Sequence, residues 1–85
     1  MEYIAITFRS RSHTMRAYET LKRFSVASSI INTPKEAGVG CGLSVRIPTE
    51  RFSFCKKVVF RLNLNSFAGF FLVKQVANKR IVKSI

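Results

Sequence analysis

YIAITF, the stretch at residues 3–8, consists of β-branched, aromatic and small apolar residues. Residues of these types favour β-strands. Because side chains alternate between the two faces of a strand, Ile4, Ile6 and Phe8 would share one face. The opposite face is also largely apolar. We therefore predict a strand that is at least partly covered on both sides.

A helix is predicted after this strand. Ser10 or Ser12 can cap its first turn. Apolar residues then recur at helical spacing between about residues 13 and 24, and charged residues fall on the other side. This amphipathic pattern is typical of a helix that packs on a sheet.

Three further strands and a second helix are predicted from the rest of the chain. The strands cover residues 26–31, 43–47 and 67–76, and the second of them alternates apolar with polar residues, which indicates one solvent-exposed face. Residues 50–62 fit a helix, although their last part also alternates as a strand would. Thr49 as a cap and Glu50 in the first turn favour the helix.

The resulting order, βαββαβ, is that of the ferredoxin-like fold. We therefore predict an α+β protein, a two-layer sandwich in which two helices cover one face of a four-stranded antiparallel sheet. Residues 1–76 would form one domain, and residues 77–85 would be a basic C-terminal tail. Abundant Phe and Ile in the strands leave a homodimer, through the other face or through a sheet edge, as an open alternative.

The chain is strongly basic: 15 Lys and Arg residues against four acids give a net charge of +11. This charge favours binding to polyanions, but the cations are spread from Arg9 to Lys83, as on an ordinary solvated surface. No uncharged apolar run approaches the ~20 residues of a membrane span, and no signal-peptide pattern opens the chain. We expect a cytoplasmic protein without membrane association, with both cysteines as free thiols.

Residues 33–42 read TPKEAGVGCG and contain the residues most suggestive of chemistry. Glycines can adopt positive φ, so the backbone N–H groups of such a loop can turn towards one point and bind an anion. A cysteine held there would be favoured as the thiolate by those dipoles and by nearby cations. We predict Cys41 as the reactive residue, with the loop and its anion site formed by Thr33, Pro34, Lys35, Gly40 and Gly42.

Other residues are weaker candidates. His13 is a possible accessory base for Cys41, although a histidine at a helix start is more often a surface residue. Cys55 lies on the apolar face of the second helix and is expected to be in the core. No His and Cys spacing suggests a metal site, and neither a dinucleotide fingerprint nor a phosphate-binding loop is present. No cofactor is expected.

With these motifs in place, the chain resembles the putative Se/S carrier protein-like family, small bacterial domains associated with SirA/TusA-like proteins of selenium and sulfur metabolism. The likeness covers about residues 2–76. It rests on Thr7-Phe8, on Ser10, Ser12 and His13, on Thr33-Pro34-Lys35-Glu36 followed by Cys41-Gly42-Leu43, and on Gly69. The resemblance implies a carrier that takes sulfur or selenium on Cys41 from a donor protein and passes it to an acceptor, which are the partners expected.

Two other classes of function stay open. The chain could be a basic binding module, without catalysis, for nucleic acid or an acidic protein partner. The aromatic signature of RNA-recognition domains is absent from residues 43–47, so no motif supports nucleic acid. The remaining alternative is a structural or regulatory dimer.

Overall fold

A computed structural model describes residues 1–85 and contains two α-helices and five β-strands. The elements in chain order are β1 (Glu2–Phe8), α1 (Arg11–Arg23), β2 (Ser29–Asn32), β3 (Leu43–Ile47), α2 (Phe52–Leu62), β4 (Phe67–Val76) and β5 (Lys79–Ser84). Short 3-10 turns precede β3 and α2, at Lys35–Ala37 and Thr49–Arg51. Neither helix has the length and apolar character needed to cross a membrane.

The sheet is antiparallel, with the strand order β2-β3-β1-β4-β5. The stretch YIAITF forms most of β1, the central strand, in which Ile4 lies opposite Ile47 on one side and Leu72 on the other. Both faces of this strand are buried, since Ile4, Ile6 and Phe8 lie in the main core and Ala5 lies in a smaller cluster on the opposite face. This burial explains the composition of β1.

The number of strands differs from the prediction. We expected four, but residues 79–84, within the predicted tail, form β5 and pair with β4 from Val76 opposite Lys79 to Phe71 opposite Ser84. A tight turn at Ala77-Asn78, with Ala77 at φ +53°, joins the two strands. β5 is a charged edge strand with little buried surface, and lysines on such an edge discourage pairing with other chains. Its sequence therefore lacks the alternation of a half-buried strand.

The main core lies between the two helices and one face of the sheet. Its centre is formed by fully buried side chains of β1 and β3, including Ile6, Phe8 and Val45, and Leu21 of α1 and Cys55 of α2 pack against them. The prediction of helix for residues 50–62 is confirmed for residues 52–62, and the preceding residues form the 3-10 turn. Thr49, however, does not cap α2; its hydroxyl donates to the Glu50 carboxylate.

The second face of the sheet is covered by the chain itself. Ala37 and Val39, in the segment 33–42, pack on a small cluster formed by Ala5, Phe71 and Val73. We expected an exposed face on β3, and this is wrong at Ser44, whose side chain is fully buried. The segment 33–42 lies over that face, and only tertiary structure could place it there.

Candidate functional site

Cys41 lies where β1 ends and α1 begins. Its backbone N–H donates to the carbonyl oxygen of Phe8, the last residue of β1, at 2.9 Å. Its sulfur lies 3.6 Å from Thr14 Oγ1, in the first turn and a half of α1, and 3.7 Å from the carbonyl oxygen of Leu43. The residue is partly buried and its thiol is free. The thiol of this partly exposed residue is therefore held against the start of a helix.

The start of α1 is well ordered by its own hydrogen bonds. Ser10 is the N-cap, and its hydroxyl accepts from the backbone N–H of His13 at 3.3 Å, as the sequence predicted for Ser10 or Ser12. These bonds fix the first turns of α1, against which the sulfur of Cys41 lies through its contact with Thr14.

Thr14 is the side chain that can respond to ionisation of the thiol. Its hydroxyl lies 3.2 Å from the carbonyl oxygen of Ser10, to which it donates, and 3.6 Å from the sulfur of Cys41. A hydroxyl has one proton to donate and two lone pairs. While the Thr14 hydroxyl donates its proton to Ser10, it can act only as a hydrogen-bond acceptor towards Cys41. If the thiol loses its proton, the hydroxyl can rotate and donate to the sulfur instead.

The glycines on either side of Cys41 fix the path of the backbone. Gly40 has φ +97° and Gly42 has φ +93°, both in the region that L side chains rarely adopt. A Cβ at Gly40 would lie 3.1 Å from the carbonyl oxygen of Phe8, the same oxygen that accepts from Cys41. The close approach of the loop to β1 therefore requires glycine at this position.

The rest of the segment 33–42 is tied to its surroundings by side chains. The hydroxyls of Thr33 and Ser44 share a hydrogen bond of 2.6 Å, and the Thr33 N–H donates to the carbonyl oxygen of Gly42 at 2.9 Å. Arg80 of β5 donates to both carboxylate oxygens of Glu36, at 3.1 and 2.8 Å. These contacts hold the pKa of Glu36 below its usual range, chiefly through the hydrogen bond from Arg80. The segment is anchored at both ends and at its middle.

An open cleft of about 700 Å³ lies beside the flanking glycines. Its lining contains no acidic residue and consists of Arg9, Thr33, Pro34, Lys35, Gly38, Val39, Gly40 and Gly42. All five of the predicted loop residues therefore line one cleft. Arg9 lines it as well, although no pattern in the sequence indicated this residue. Cys41 does not line the cleft, because its sulfur lies against α1 instead.

His13 is placed beside Ser66 and not beside the sulfur of Cys41. Its Nδ1 lies 2.6 Å from the Ser66 hydroxyl oxygen, which also accepts from the backbone N–H of Ser10 at 3.3 Å. Since Ser66 precedes β4, this bond ties the start of α1 to the α2–β4 connection. Thr14, one residue further along the helix, makes the contact with sulfur, and the sequence offered no signal for it.

The second cysteine is part of the core. Cys55 is fully buried in α2 among apolar side chains, as predicted, and this burial raises the pKa of its thiol. It therefore makes a poor nucleophile at neutral pH. No group of three His, Cys, Asp or Glu side chains lies close enough together to hold a metal ion.

Comparison with known proteins supports the resemblance seen in the sequence. Neither a curated protein nor a solved structure matches the chain significantly. The family described as "Putative Se/S carrier protein-like" matches residues 3–66, which include β1, α1, the segment 33–42 and α2. Since this match spans most of the chain and contains the whole environment of Cys41, the chain belongs to that family.

Proposed function

We propose that this protein carries a sulfur or selenium atom on Cys41 and passes it from a donor protein to an acceptor protein. The observation that supports this most directly is the position of Cys41, a partly exposed residue whose thiol is held at the start of α1 against Thr14. Membership of the family points to the same chemistry. The alternative is that the thiol only packs the loop against the helix.

The transfer needs no oxidant or cofactor. The Cys41 thiolate attacks the outer sulfur of a persulfide on the donor, a new S–S bond forms at Cys41, and the donor's S–S bond breaks, so that the donor leaves as a thiolate. The same attack by an acceptor thiolate on the outer sulfur of the Cys41 persulfide completes the transfer and restores the thiol. Selenium would follow the same path as a selenenylsulfide.

Several residues would assist these steps. Thr14 would donate a hydrogen bond to the sulfur of the attacking thiolate. Arg9 and Lys35, in the cleft beside Gly40 and Gly42, would bind an anionic group of the donor. His13 would contribute as a base only after release from Ser66. Donor and acceptor would be cytoplasmic proteins, and SirA/TusA-like proteins are the first to test.

We also interpret the first four strands with the two helices as a ferredoxin-like unit to which β5 is added. The order β2-β3-β1-β4 and the two helices on one face support this interpretation. The thiol would then lie at the end of the unit where the central strand meets the first helix.

Loading of Cys41 tests the proposal directly. Protein with Cys55→Ala, which keeps Cys41 as its sole cysteine, would be incubated with glutathione persulfide or glutathione selenenylsulfide and examined by intact mass. We expect the mass of one sulfur or selenium atom to be added, and we expect the addition to be reversed by dithiothreitol.

Two variants separate the carrier role from a packing role. Cys41→Ser should abolish loading while leaving the fold intact, because serine is close in size to cysteine. Thr14→Val keeps the shape of the side chain but removes its hydroxyl, so it should slow loading while leaving the site accessible. Unchanged loading of the Cys41→Ser protein in which Cys55 is kept would overturn the proposal.

A further inference from the structure

A second surface of interest lies between the two helices, at the end of α1 remote from Cys41. We call it the interhelix groove, and it is lined by Thr20, Phe24, Phe54, Lys57, Val58, Phe60, Arg61 and Leu62. Most of its exposed lining is apolar. Phe24, Phe54 and Phe60 remain 53%, 37% and 55% exposed.

Three exposed phenylalanines on neighbouring helices are unusual for so small a protein. Burying the exposed part of each ring against a partner would contribute up to about 1.5–3 kcal/mol. Phe24 and Phe54 contact each other, whereas the ring of Phe60, also in the lining, packs against Phe67 and Phe70. An exposed apolar patch of this kind marks an interaction surface. The rings are also preorganised, since Phe24 and Phe54 form an edge-to-face pair at 5.4 Å between centroids.

The rim of the interhelix groove is positively charged. Lys57 and Arg61 belong to its lining, and the Arg51 guanidinium lies over the ring of Phe54 at 4.9 Å. The lining contains no acidic residue, and the two ion pairs of the structure, Lys74–Glu2 and Arg80–Glu36, involve none of these cations. The groove therefore combines an apolar floor with unpaired positive charge at its edge.

We propose that the interhelix groove binds an acidic, amphipathic segment of a partner protein. Its apolar side chains would lie between Phe24, Phe54 and Phe60, as in the recognition of amphipathic helices by hydrophobic grooves. Its carboxylates would pair with Lys57 and Arg61. Charge complementarity of this kind speeds association and selects against uncharged competitors.

Two other occupants fit the structure less well. A second copy of this chain would bring the same cations to the contact, and each copy has a net charge of +11. Single-stranded nucleic acid would need ring faces free for stacking, but Arg51 lies over Phe54, and Lys56 lies 6.0 Å from the ring centre of Phe60. A carboxylate can bind these cations without displacing them from the rings.

The interhelix groove is independent of the carrier site. Phe24 follows the last residue of α1, whereas the sulfur of Cys41 contacts Thr14 near its first residue. Ten residues of helix separate these positions by about 15 Å along the axis. A partner could occupy the groove while the thiol remains open, and failure of one proposal leaves the other standing.

Binding of designed peptides tests the groove. The probe is a fluorescein-labelled helical peptide with leucines on one face and glutamates on the other, and the matched control replaces every leucine by serine at the same charge. Fluorescence anisotropy at physiological salt should show that the leucine peptide binds at least about tenfold more tightly, a difference of about 1.4 kcal/mol.

Variants then locate the site. The pair Lys57→Gln/Arg61→Gln should weaken binding of the leucine peptide about tenfold, whereas Lys79→Gln/Lys83→Gln on β5, which removes the same charge elsewhere, should weaken it only about twofold, through screened long-range attraction. All four side chains are exposed, so neither pair should disturb the fold. Phe54→Gln should remove the advantage of leucine over serine.

Each contrary result overturns the proposal in a recognisable way. Equal affinity for the leucine and serine peptides would mean that the peptide is attracted by net charge alone. Equal losses of affinity in the Lys57→Gln/Arg61→Gln and Lys79→Gln/Lys83→Gln variants would mean the same. If neither peptide bound, the groove would not be a binding site for acidic amphipathic segments. Tighter binding of single-stranded DNA, lost in Lys57→Gln/Arg61→Gln, would assign the groove to nucleic acid, and a dimer lost in Phe54→Gln would assign it to a second copy.

Discussion

Replacing Gly40 by alanine should separate the two reasons for glycine beside Cys41. Gly40 and Gly42 have nearly the same φ, +97° and +93°, so an alanine at either position carries the strain of a positive φ. That strain costs about 1–3 kcal/mol, offset in both variants by a few tenths to about 1 kcal/mol from the lower entropy of the unfolded chain. The local surroundings of the two residues differ.

At Gly40 the added methyl group would lie 3.1 Å from the carbonyl oxygen of Phe8, but at Gly42 it would meet no atom within 4 Å. Relief of the contact at Gly40 requires the loop to move off β1, which lengthens the 2.9 Å hydrogen bond from Cys41 to Phe8. Loss of one such bond costs about 0.5–1.5 kcal/mol. Gly40→Ala should therefore be more destabilising than Gly42→Ala by about 1 kcal/mol.

Urea denaturation and thermal melting of the two variants measure this difference. For a chain of this length 1 kcal/mol corresponds to a Tm difference of about 4–8 °C. Equal destabilisation would show that the loop relaxes without loss, and would refute the claim that the approach to Phe8 requires glycine. Absence of destabilisation in both would refute the positive φ at these positions.

Two further predictions concern the anchors of the segment 33–42. Thr33→Val should cost about 1–3 kcal/mol in urea denaturation, because it leaves the buried Ser44 hydroxyl without a partner, whereas adding Ser44→Ala should recover most of the loss; additive losses would contradict the hydrogen bond. Glu36→Gln should reduce stability at pH 7 relative to the matched change Glu50→Gln. Because Arg80 lowers the pKa of Glu36 in the folded state below the ordinary 4.5, this contribution is complete above that pH and is lost as the pH falls through the folded-state pKa. A difference between the two variants that persists at pH 2 would contradict the ion pair.

The sequence predicts best where each residue's role depends on its near neighbours. The strand at residues 67–76 has the bounds of β4, because the run of Phe and Val residues is buried against β1. The cap at Ser10 follows from local hydrogen bonding alone. Both features are encoded within a few residues, so they could be recognised without knowledge of the fold.

The remaining features depend on contacts between distant parts of the chain. Ser44 is buried because the segment 33–42 lies over this face of the sheet. The alternation of apolar and polar residues in 43–47 does not predict that cover. The contact of Cys41 with Thr14 joins residues 27 positions apart. For the candidate site, the sequence drew attention to the loop and to Cys41, whose role stays a prediction, but not to Thr14 or Arg9, since neither has an unusual local pattern.

Under the proposed carrier function, the anchoring of the segment 33–42 would limit the movement of the atom held on Cys41. Many carriers deliver their cargo on a swinging arm, a flexible chain end that reaches from one active site to another. Here the backbone N–H of Cys41 bonds the carbonyl oxygen of Phe8 in β1, and Glu36 ties the same segment to Arg80 of β5. Movement of the segment 33–42 away from the sheet would expose Ala5 and Phe71 to solvent. Cys41 would stay in one position, and the donor and the acceptor would bind there one after the other, each bringing its own reactive atom to the thiol.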